Sequence, residues 1–213
     1  MTDTEREKRA VAEEAARLAE DGMTVGLGTG STVAYLLPAL AARGLDLRCV
    51  ATSPRTDQAA RQLGLPLEPF ESLNRLDLAI DGADQVDPAG WLVKGGGSAH
   101  TREKIVAAAA DRFVVIVSSD KIVEALAPPV PLELLPFGLH ATMRSLGPVE
   151  LRDAPLSPDG GVIADYVGPV DDPDELAERL AATPGVVEHG LFPPPLVSEV
   201  LVGRDDRVDR ISP

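Results

Sequence analysis

The sequence is poor in several residue types, and each scarcity narrows the class of protein. A single cysteine, Cys49, rules out a disulfide within the chain, and it is predicted to be a small buried hydrophobe. Aromatic residues make up 3% and hydrophobic residues 44%, so the predicted core is aliphatic. No apolar run approaches the ~18 residues of a membrane span, and no apolar segment follows the polar N-terminus. These features predict a cytoplasmic protein.

Positive charge is also scarce. The chain has 34 acidic and 20 basic residues, a formal net charge of −14, which argues against nucleic acid and anionic membranes as partners. Sixteen basic residues are arginine and only four are lysine. Each lysine either remains by chance or occupies a position that needs a compact ammonium in place of a planar guanidinium. The four are Lys8, Lys94, Lys104 and Lys121.

The first 127 residues alternate short apolar segments with segments of helical periodicity. This pattern predicts an α/β fold: a Rossmann-like open parallel sheet with helices on both faces. A capping box at Thr4 and Glu7 predicts the start of the first helix. Polar or glycine-rich sequence follows each predicted strand, and ligands bind at this edge of such sheets. The strand ends are Gly28, Thr52, Ile80 and Val117.

The sequence changes character after Ala127. Four prolines between Pro128 and Pro136 are typical of a linker. Beyond them we expect a small α+β, ferredoxin-like subdomain, with a helix capped by Asp172 and strands at 149–152, 161–166, 186–188 and 197–202. The predicted domains are therefore a catalytic domain, residues 1–127 with residues 204–213, and a subdomain, residues 128–203.

The segment from Gly26 to Thr32 places glycines and hydroxyl groups before a predicted helix. Glycines let backbone N–H groups approach an anion, and a helix start attracts it. The segment lacks the third glycine of a dinucleotide fingerprint and the lysine of a Walker A loop. It predicts either a phosphate site or a tight turn with a Ser/Thr cap. The hydroxyls of residues 52–56 leave the same two interpretations open.

The segment after the third predicted strand has the highest concentration of candidate catalytic side chains. Asp81 and Asp84 flank Gly82-Ala83, and a buried carboxylate there needs a partner. The nearest candidate is Lys94, which opens a triple-glycine loop. A metal held by Asp81, Asp84 and Asp87 is the weaker alternative, because the three histidines are scattered.

Glu103 is expected near the start of a helix that spans 101–110. An acid in the first turn of a helix is favoured by the helix dipole, which is one sufficient reason for its presence. The second interpretation is a general base directed at the glycine loop. The residues of this segment alone leave both interpretations open.

The chain contains five motifs in the order Gly28-Thr29-Gly30-Ser31-Thr32, Asp81-Gly82-Ala83-Asp84, Lys94-Gly95-Gly96-Gly97, Arg102-Glu103-Lys104 and Asp120-Lys121. Their order and spacing resemble those of ribose-5-phosphate isomerase, type A. The resemblance covers nearly the whole chain. It implies an aldose–ketose isomerase that interconverts D-ribose 5-phosphate and D-ribulose 5-phosphate through an enediolate, in the non-oxidative pentose phosphate pathway. It also implies no cofactor, no metal, and a homodimer or homotetramer.

The resemblance assigns roles by position. Glu103 corresponds to the general base, and Asp81, Asp84 and Lys94 to the other catalytic groups. Substrate binding is implied for Lys8, Thr29, Gly30, Ser31, Thr32, Gly82, Ala83, Gly95, Gly96, Gly97 and Lys121. The sequence departs from the family pattern at Ser98, at His100 and over residues 157–161.

These residue types suit enediolate chemistry. One carboxylate can carry a proton between neighbouring carbons, while an ammonium and backbone N–H groups stabilise the oxyanion. An amino-sugar phosphate isomerase/deaminase or an acyl-CoA transferase is the alternative enzyme, disfavoured by the pairing of Asp81 and Asp84 with Lys94. A non-catalytic sugar-phosphate sensor would need an output domain, for which 213 residues leave no room.

Overall fold

The computed structural model describes residues 2–205 and 207–212. Its helices are α1 Asp3–Ala16, α2 Val33–Ala41, α3 Pro54–Gln62, α4 His100–Ala108, α5 Leu139–Leu146 and α6 Pro173–Ala181. Its strands are β1 Thr24–Leu27, β2 Arg48–Ala51, β3 Leu78–Asp81, β4 Gln85–Val86, β5 Leu92–Val93, β6 Phe113–Ser118, β7 Val130–Leu134, β8 Val149–Leu151, β9 Val162–Tyr166, β10 Val186–His189, β11 Leu191–Phe192, β12 Glu199–Arg204 and β13 Arg207–Ile211. None of the helices described is long and apolar enough to cross a membrane.

The chain forms two compact units. Unit 1 contains Met1–Ala83, Arg102–Ile122 and Pro195–Pro213, and unit 2 contains Asp84–Thr101 and Val123–Pro194. These limits differ from the predicted domains, 1–127 with 204–213 and 128–203. The difference has two sources: β4 and β5 pair with β11, and β12 pairs with β6.

Unit 1 is built on a six-stranded sheet in the order β13-β12-β6-β3-β1-β2. All neighbouring strands are parallel except β13, which runs antiparallel to β12 at one edge. All six residues of β6 are buried, as expected for an interior parallel strand. The surrounding core is almost wholly aliphatic and includes Cys49, which confirms both the predicted α/β fold and the buried cysteine.

Helix α1 begins two residues earlier than predicted. Thr2 is its N-cap: the Thr2 hydroxyl accepts from the Glu5 N–H at 3.2 Å, and the Glu5 carboxylate accepts from the Thr2 N–H at 2.8 Å. The predicted capping box at Thr4 and Glu7 is therefore wrong. Glu7 is buried and serves a tertiary contact, a use that local sequence spacing does not reveal.

Unit 2 contains two antiparallel sheets, ordered β10-β7-β9-β8 and β11-β5-β4. Its helix α6 follows the prediction: Asp172 accepts from the N–H groups of Asp174 and Glu175, and Pro173 is the first helical residue. A second aliphatic core includes Leu132 and Leu180.

The predicted linker at 128–136 is wrong, because it contains β7. All five residues of β7 are buried, and the strand is flanked by β9 and β10. Pro131 has no N–H to donate, but its carbonyl accepts from Gly190 at 2.7 Å, so the strand pairs despite the proline. The strand expected at 197–202 in the subdomain is β12, which lies in the sheet of unit 1.

Candidate active site

Asp81 ends β3 in unit 1 and is buried. Its Oδ1 accepts from the N–H groups of Thr29 at 3.0 Å and Gly82 at 2.7 Å. Each bond offsets the cost of burying the carboxylate. The glycine segment at 26–32 was expected to offer its N–H groups to a phosphate, yet at Thr29 the N–H is directed to Asp81. The loop therefore holds the carboxylate of Asp81 in place.

The hydroxyl of Thr29 lies at the centre of a cluster from two strand ends. Its Oγ1 is 3.0 Å from Thr52 Oγ1, 2.7 Å from Ser53 Oγ and 3.1 Å from Thr56 Oγ1. Ser53 also caps α3 by accepting from the Thr56 N–H at 3.2 Å. The cap interpretation of residues 52–56 is therefore confirmed. Their hydroxyls also hold Thr29, a tertiary role that the sequence pattern did not specify.

Two of the predicted phosphate ligands meet in unit 1. Lys8 Nζ, on α1, donates to Ser31 Oγ at 2.9 Å, which brings a cation to the glycine segment.

The ammonium of Lys121 lies 3.3 Å from Asp120 Oδ2, just after the end of β6. The pKa of Asp120 is lowered, because the Ser118 hydroxyl bond and the Lys121 charge together outweigh the opposing effect of burial.

Glu7 is a site-supporting residue that sequence reasoning missed. Its buried carboxylate accepts from Ser119 N at 2.9 Å and from Ser119 Oγ at 3.0 Å. Ser119 opens the turn that carries Lys121. Glu7 therefore ties α1, which also carries Lys8, to that turn. Its position next to a singled-out lysine was the only signal available in the sequence.

Glu103 lies in the first turn of α4 and is only 5% exposed. The helix packs closely on β1: a Cβ atom on Gly26 would lie 2.4 Å from Val106 Cγ1. Val106 and Ala107 are buried, whereas Ile105 is half exposed. This contact places α4 directly against β1. Glu103 is therefore a buried acid in the first turn of a helix, a position that fits both the dipole interpretation and the general-base interpretation.

Lys94 follows β5 in unit 2 and is 2% exposed. Its backbone N–H donates to the Gly190 carbonyl at 2.8 Å, and its ammonium lies 5.4 Å from the centre of the Phe192 ring. A Cβ atom on Gly190 would lie 2.1 Å from the Lys94 carbonyl oxygen. The backbone of the lysine is therefore fixed by Gly190, between β10 and β11, and its charge lies over an aromatic face.

The glycine loop after Lys94 is shaped around Asp84. Gly96 N donates to Asp84 Oδ2 at 2.8 Å, and a Cβ atom on Gly96 would lie 2.9 Å from Asp84 Oδ1. Gly95 has φ +109°, and a Cβ atom there would lie 2.7 Å from Nδ1 of the fully buried His100. Close approach therefore explains the first two glycines of the triple-glycine sequence.

The structure groups the predicted site residues by unit. Unit 1 brings Asp81 into contact with Thr29 and Gly82, and Lys8 with Ser31, and it also holds Glu103 and Lys121. Unit 2 brings Asp84 into contact with the loop that follows Lys94. The remaining predicted binding residues, Gly30, Thr32, Ala83, Gly95 and Gly97, lie in these same loops.

The metal alternative finds no support in the geometry. Asp87 Oδ1 accepts from the Trp91 N–H at 2.9 Å and so closes the turn between β4 and β5. Across residues 2–205 and 207–212, no three His, Cys, Asp or Glu side chains are grouped as a metal site.

Comparison with known proteins identifies the family. The family described as ribose 5-phosphate isomerase A (phosphoriboisomerase A) matches residues 48–207. Ribose-5-phosphate isomerase A of Natronomonas pharaonis is 47% identical over 220 residues, 97% of this chain and 96% of its own. That of Caulobacter vibrioides is 45% identical over 223 residues, 97% of this chain and 98% of its own.

Solved structures agree with this. Ribose 5-phosphate isomerase A from Methanocaldococcus jannaschii superposes with a TM-score of 0.92 at 35% identity, covering 97% of this chain and 98% of its own. A D-ribose-5-phosphate isomerase in complex with phospho-erythronic acid superposes with a TM-score of 0.93 at 34% identity, covering 100% of both. Sequence and fold together show that the chain belongs to the ribose 5-phosphate isomerase A family.

Proposed function

We propose that the chain interconverts D-ribose 5-phosphate and D-ribulose 5-phosphate in the non-oxidative pentose phosphate pathway. The observation that carries this proposal is a family match that extends over nearly the whole chain, together with a relative solved with phospho-erythronic acid. The chain is accordingly an aldose–ketose isomerase. Such a reaction moves one proton between C1 and C2 through an enediolate and requires no net oxidation.

Glu103 is the general base of this proposal. It takes the proton from one carbon and returns it to the next, so a single carboxylate serves both half-reactions. Burial on a packed helix supports this role, because a base must be held in one orientation.

Lys94 and the N–H groups of Gly95 and Gly97 stabilise the oxyanion of the enediolate, while the Gly96 N–H holds Asp84. Preset donors of this kind are worth more in a site shielded from water, because no solvent competes with them. The burial of Lys94 and its anchored backbone support the assignment. Asp81 and Asp84 transfer hydroxyl protons, including those of ring opening. Asp81 is kept in place by the N–H groups of Thr29 and Gly82, and Asp84 by that of Gly96.

The phosphate is bound by Lys8, Lys121 and the segment from Thr29 to Thr32. The contact between Lys8 and Ser31 supports this, because it already joins a cation to a hydroxyl donor. Because the N–H of Thr29 is directed to Asp81, the phosphate donors of this segment are residues 30–32. Gly82 and Ala83, next to Asp81, complete the substrate contacts.

The active form is a cytoplasmic homodimer or homotetramer that works without metal or cofactor. Large exposed hydrophobic residues in unit 2 support self-association: Phe137 is 93% exposed, and Leu135 and Leu156 are exposed as well. Light scattering coupled to size-exclusion chromatography measures the mass directly. A monomer at micromolar concentration would contradict this assignment.

The function is tested by incubating the protein with ribose 5-phosphate in D₂O and following ribulose 5-phosphate. We expect turnover, with solvent deuterium incorporated at the reprotonated carbon to the extent that the proton held by Glu103 exchanges with solvent before it is returned. Glucosamine 6-phosphate and an acyl-CoA with a carboxylate acceptor serve as comparison substrates for the alternative enzymes. Faster turnover of either, or ribose 5-phosphate binding without turnover, would contradict the proposal.

A further inference from the structure

Arg152, just after β8, makes an unusual set of contacts within unit 2. Its Nη1 donates to the carbonyl oxygens of Gly95 at 2.8 Å and Gly96 at 3.4 Å, and to Ser98 Oγ at 3.3 Å. Its Nε donates to Asp165 Oδ2 at 3.0 Å, and its Nη2 donates to Asp165 Oδ1. The side chain is only 20% exposed. One guanidinium therefore joins the glycine loop to a carboxylate of β9.

The peptide between Gly95 and Gly96 is held at both ends. Its carbonyl accepts from Arg152, and its N–H donates to Asp84 Oδ2 at 2.8 Å. The carbonyl and N–H of a trans peptide point in opposite directions, so these two bonds fix the plane of the whole unit. A cation at the carbonyl also polarises the peptide and strengthens its N–H as a donor.

We propose that Arg152, held by Asp165, is a positioning residue for isomerisation. It sets the peptide planes of the loop that carries Lys94, so that the loop N–H groups and Asp84 are oriented before substrate binds. This inference rests on the proposed function. The expected cost of losing it is kinetic, because a small misplacement of catalytic groups lowers the rate far more than it lowers substrate binding.

The arrangement requires arginine. The planar fork places Nη1 toward the loop while Nε and Nη2 pair with the carboxylate, so the two tasks are performed together. A lysine carries a single nitrogen and can serve the loop or Asp165 but not both in this geometry. The competing explanation is that the ion pair only stabilises the β8–β9 edge, in which case stability changes while the rate does not.

The test compares Arg152→Lys and Asp165→Asn with Arg144→Lys, an exposed arginine of α5. We expect kcat on ribose 5-phosphate to fall by about 10- to 100-fold in Arg152→Lys and by less in Asp165→Asn, with KM within about 3-fold of wild type. The Gly96 amide proton, followed by NMR, should exchange faster in both variants. The control should match wild type in each measurement.

The outcomes separate the possibilities. Folded Arg152→Lys with kcat within 2-fold of wild type and unchanged Gly96 exchange would overturn the inference, whatever its melting temperature. If Arg152→Lys fails to fold, Asp165→Asn decides by the same two measurements. An inactive wild type would refute the proposed function instead, while Gly96 exchange would still report whether Arg152 holds the loop.

Discussion

A side chain at position 28 and the carboxylate of Asp81 exclude one another. A Cβ atom on Gly28 would lie 1.9 Å from Asp81 Oδ1. The carboxylate cannot simply turn aside, because the same oxygen accepts from Thr29 and Gly82. Gly28 is therefore required for space.

Gly28→Ala should lower kcat by about 100-fold or more, because it displaces Asp81 and the loop that holds it. It should also destabilise the fold by about 1–3 kcal/mol through overpacking. Gly22→Ala is the matched control: its strained φ of +83° also costs stability, but no atom lies within 4 Å of the added Cβ. Urea unfolding and steady-state kinetics on both variants check this. Equal activities at equal stability loss would contradict it.

Glu103→Gln should lower kcat by about 100-fold or more, since general-base catalysis is typically worth 10²–10⁴. The amide has the same shape, so the urea midpoint should change little. Deuterium exchange between substrate and solvent should fall in parallel with kcat. A nearly fully active variant would remove Glu103 from the base role.

Lys94→Arg should fail to restore function, although arginine serves sixteen times elsewhere. The Lys94 side chain is buried, and its ammonium lies 5.4 Å from the centre of the Phe192 ring. A guanidinium is wider and planar, so we expect it to displace the sugar or to pair with the carboxylates instead. The loss should appear mainly in kcat, because the oxyanion exists mostly in the transition state.

Arg61→Lys, an exposed pair with Asp57 on α3, is the control and should change little. Steady-state kinetics on both variants decide the matter. Activity of Lys94→Arg within a few-fold of wild type would refute a role specific to lysine.

Activity should persist in excess EDTA. Lys94 supplies the positive charge that a metal would otherwise provide, and Asp87 is engaged in a turn. The assay is turnover of dialysed protein with and without chelator. Reversible loss on chelation, restored by Mg²⁺ or Mn²⁺, would favour the metal alternative at Asp81 and Asp84.

The thiol of Cys49 should contribute a pH-dependent term to stability. Burial, together with the nearby Glu68 charge, raises its pKa from 9.0 to about 12. Since the folded-state pKa exceeds the unfolded one, this stability is complete below about pH 9 and is lost as pH rises toward 12. The free energy of unfolding should therefore fall more steeply between about pH 9 and 12 in wild type than in Cys49→Ala. Parallel slopes would contradict the assignment.

Local patterns predicted the sheet of unit 1 and the cap of α6 well. Hydrophobic periodicity, helix-capping residues and glycines at strand ends are all signals that neighbouring residues carry. They did not predict β7. Pro131 normally disfavours a central strand, and only its partner Gly190, far along the chain, shows how the strand pairs. Thr4 and Glu7 had capping-box spacing, but Glu7 is used by Ser119 instead.

The residues of the candidate site likewise divide into those that local sequence motifs mark and those that only tertiary contacts identify. Asp81, Lys94 and Glu103 are marked by their motifs, and family membership supports the assignment. Arg152 is one arginine among sixteen, and nothing near it in the sequence marks its contact with Gly95. Its tertiary partners come from distant parts of the chain, so only the folded structure identifies it.

The bond between Lys94 and Gly190 has a consequence for synthesis on the ribosome. The backbone of this lysine is bonded to a residue made long after it, and β12, which follows Gly190 in the chain, pairs with β6 in the sheet of unit 1. Contacts so distant in sequence form late and slowly. A nascent chain that has just passed Glu103 carries every proposed catalytic residue, but it still lacks Gly190, which anchors Lys94, and β12, which pairs with β6. Synthesis of residues 190–204, more than the appearance of the motifs, therefore sets the earliest point at which isomerase activity begins.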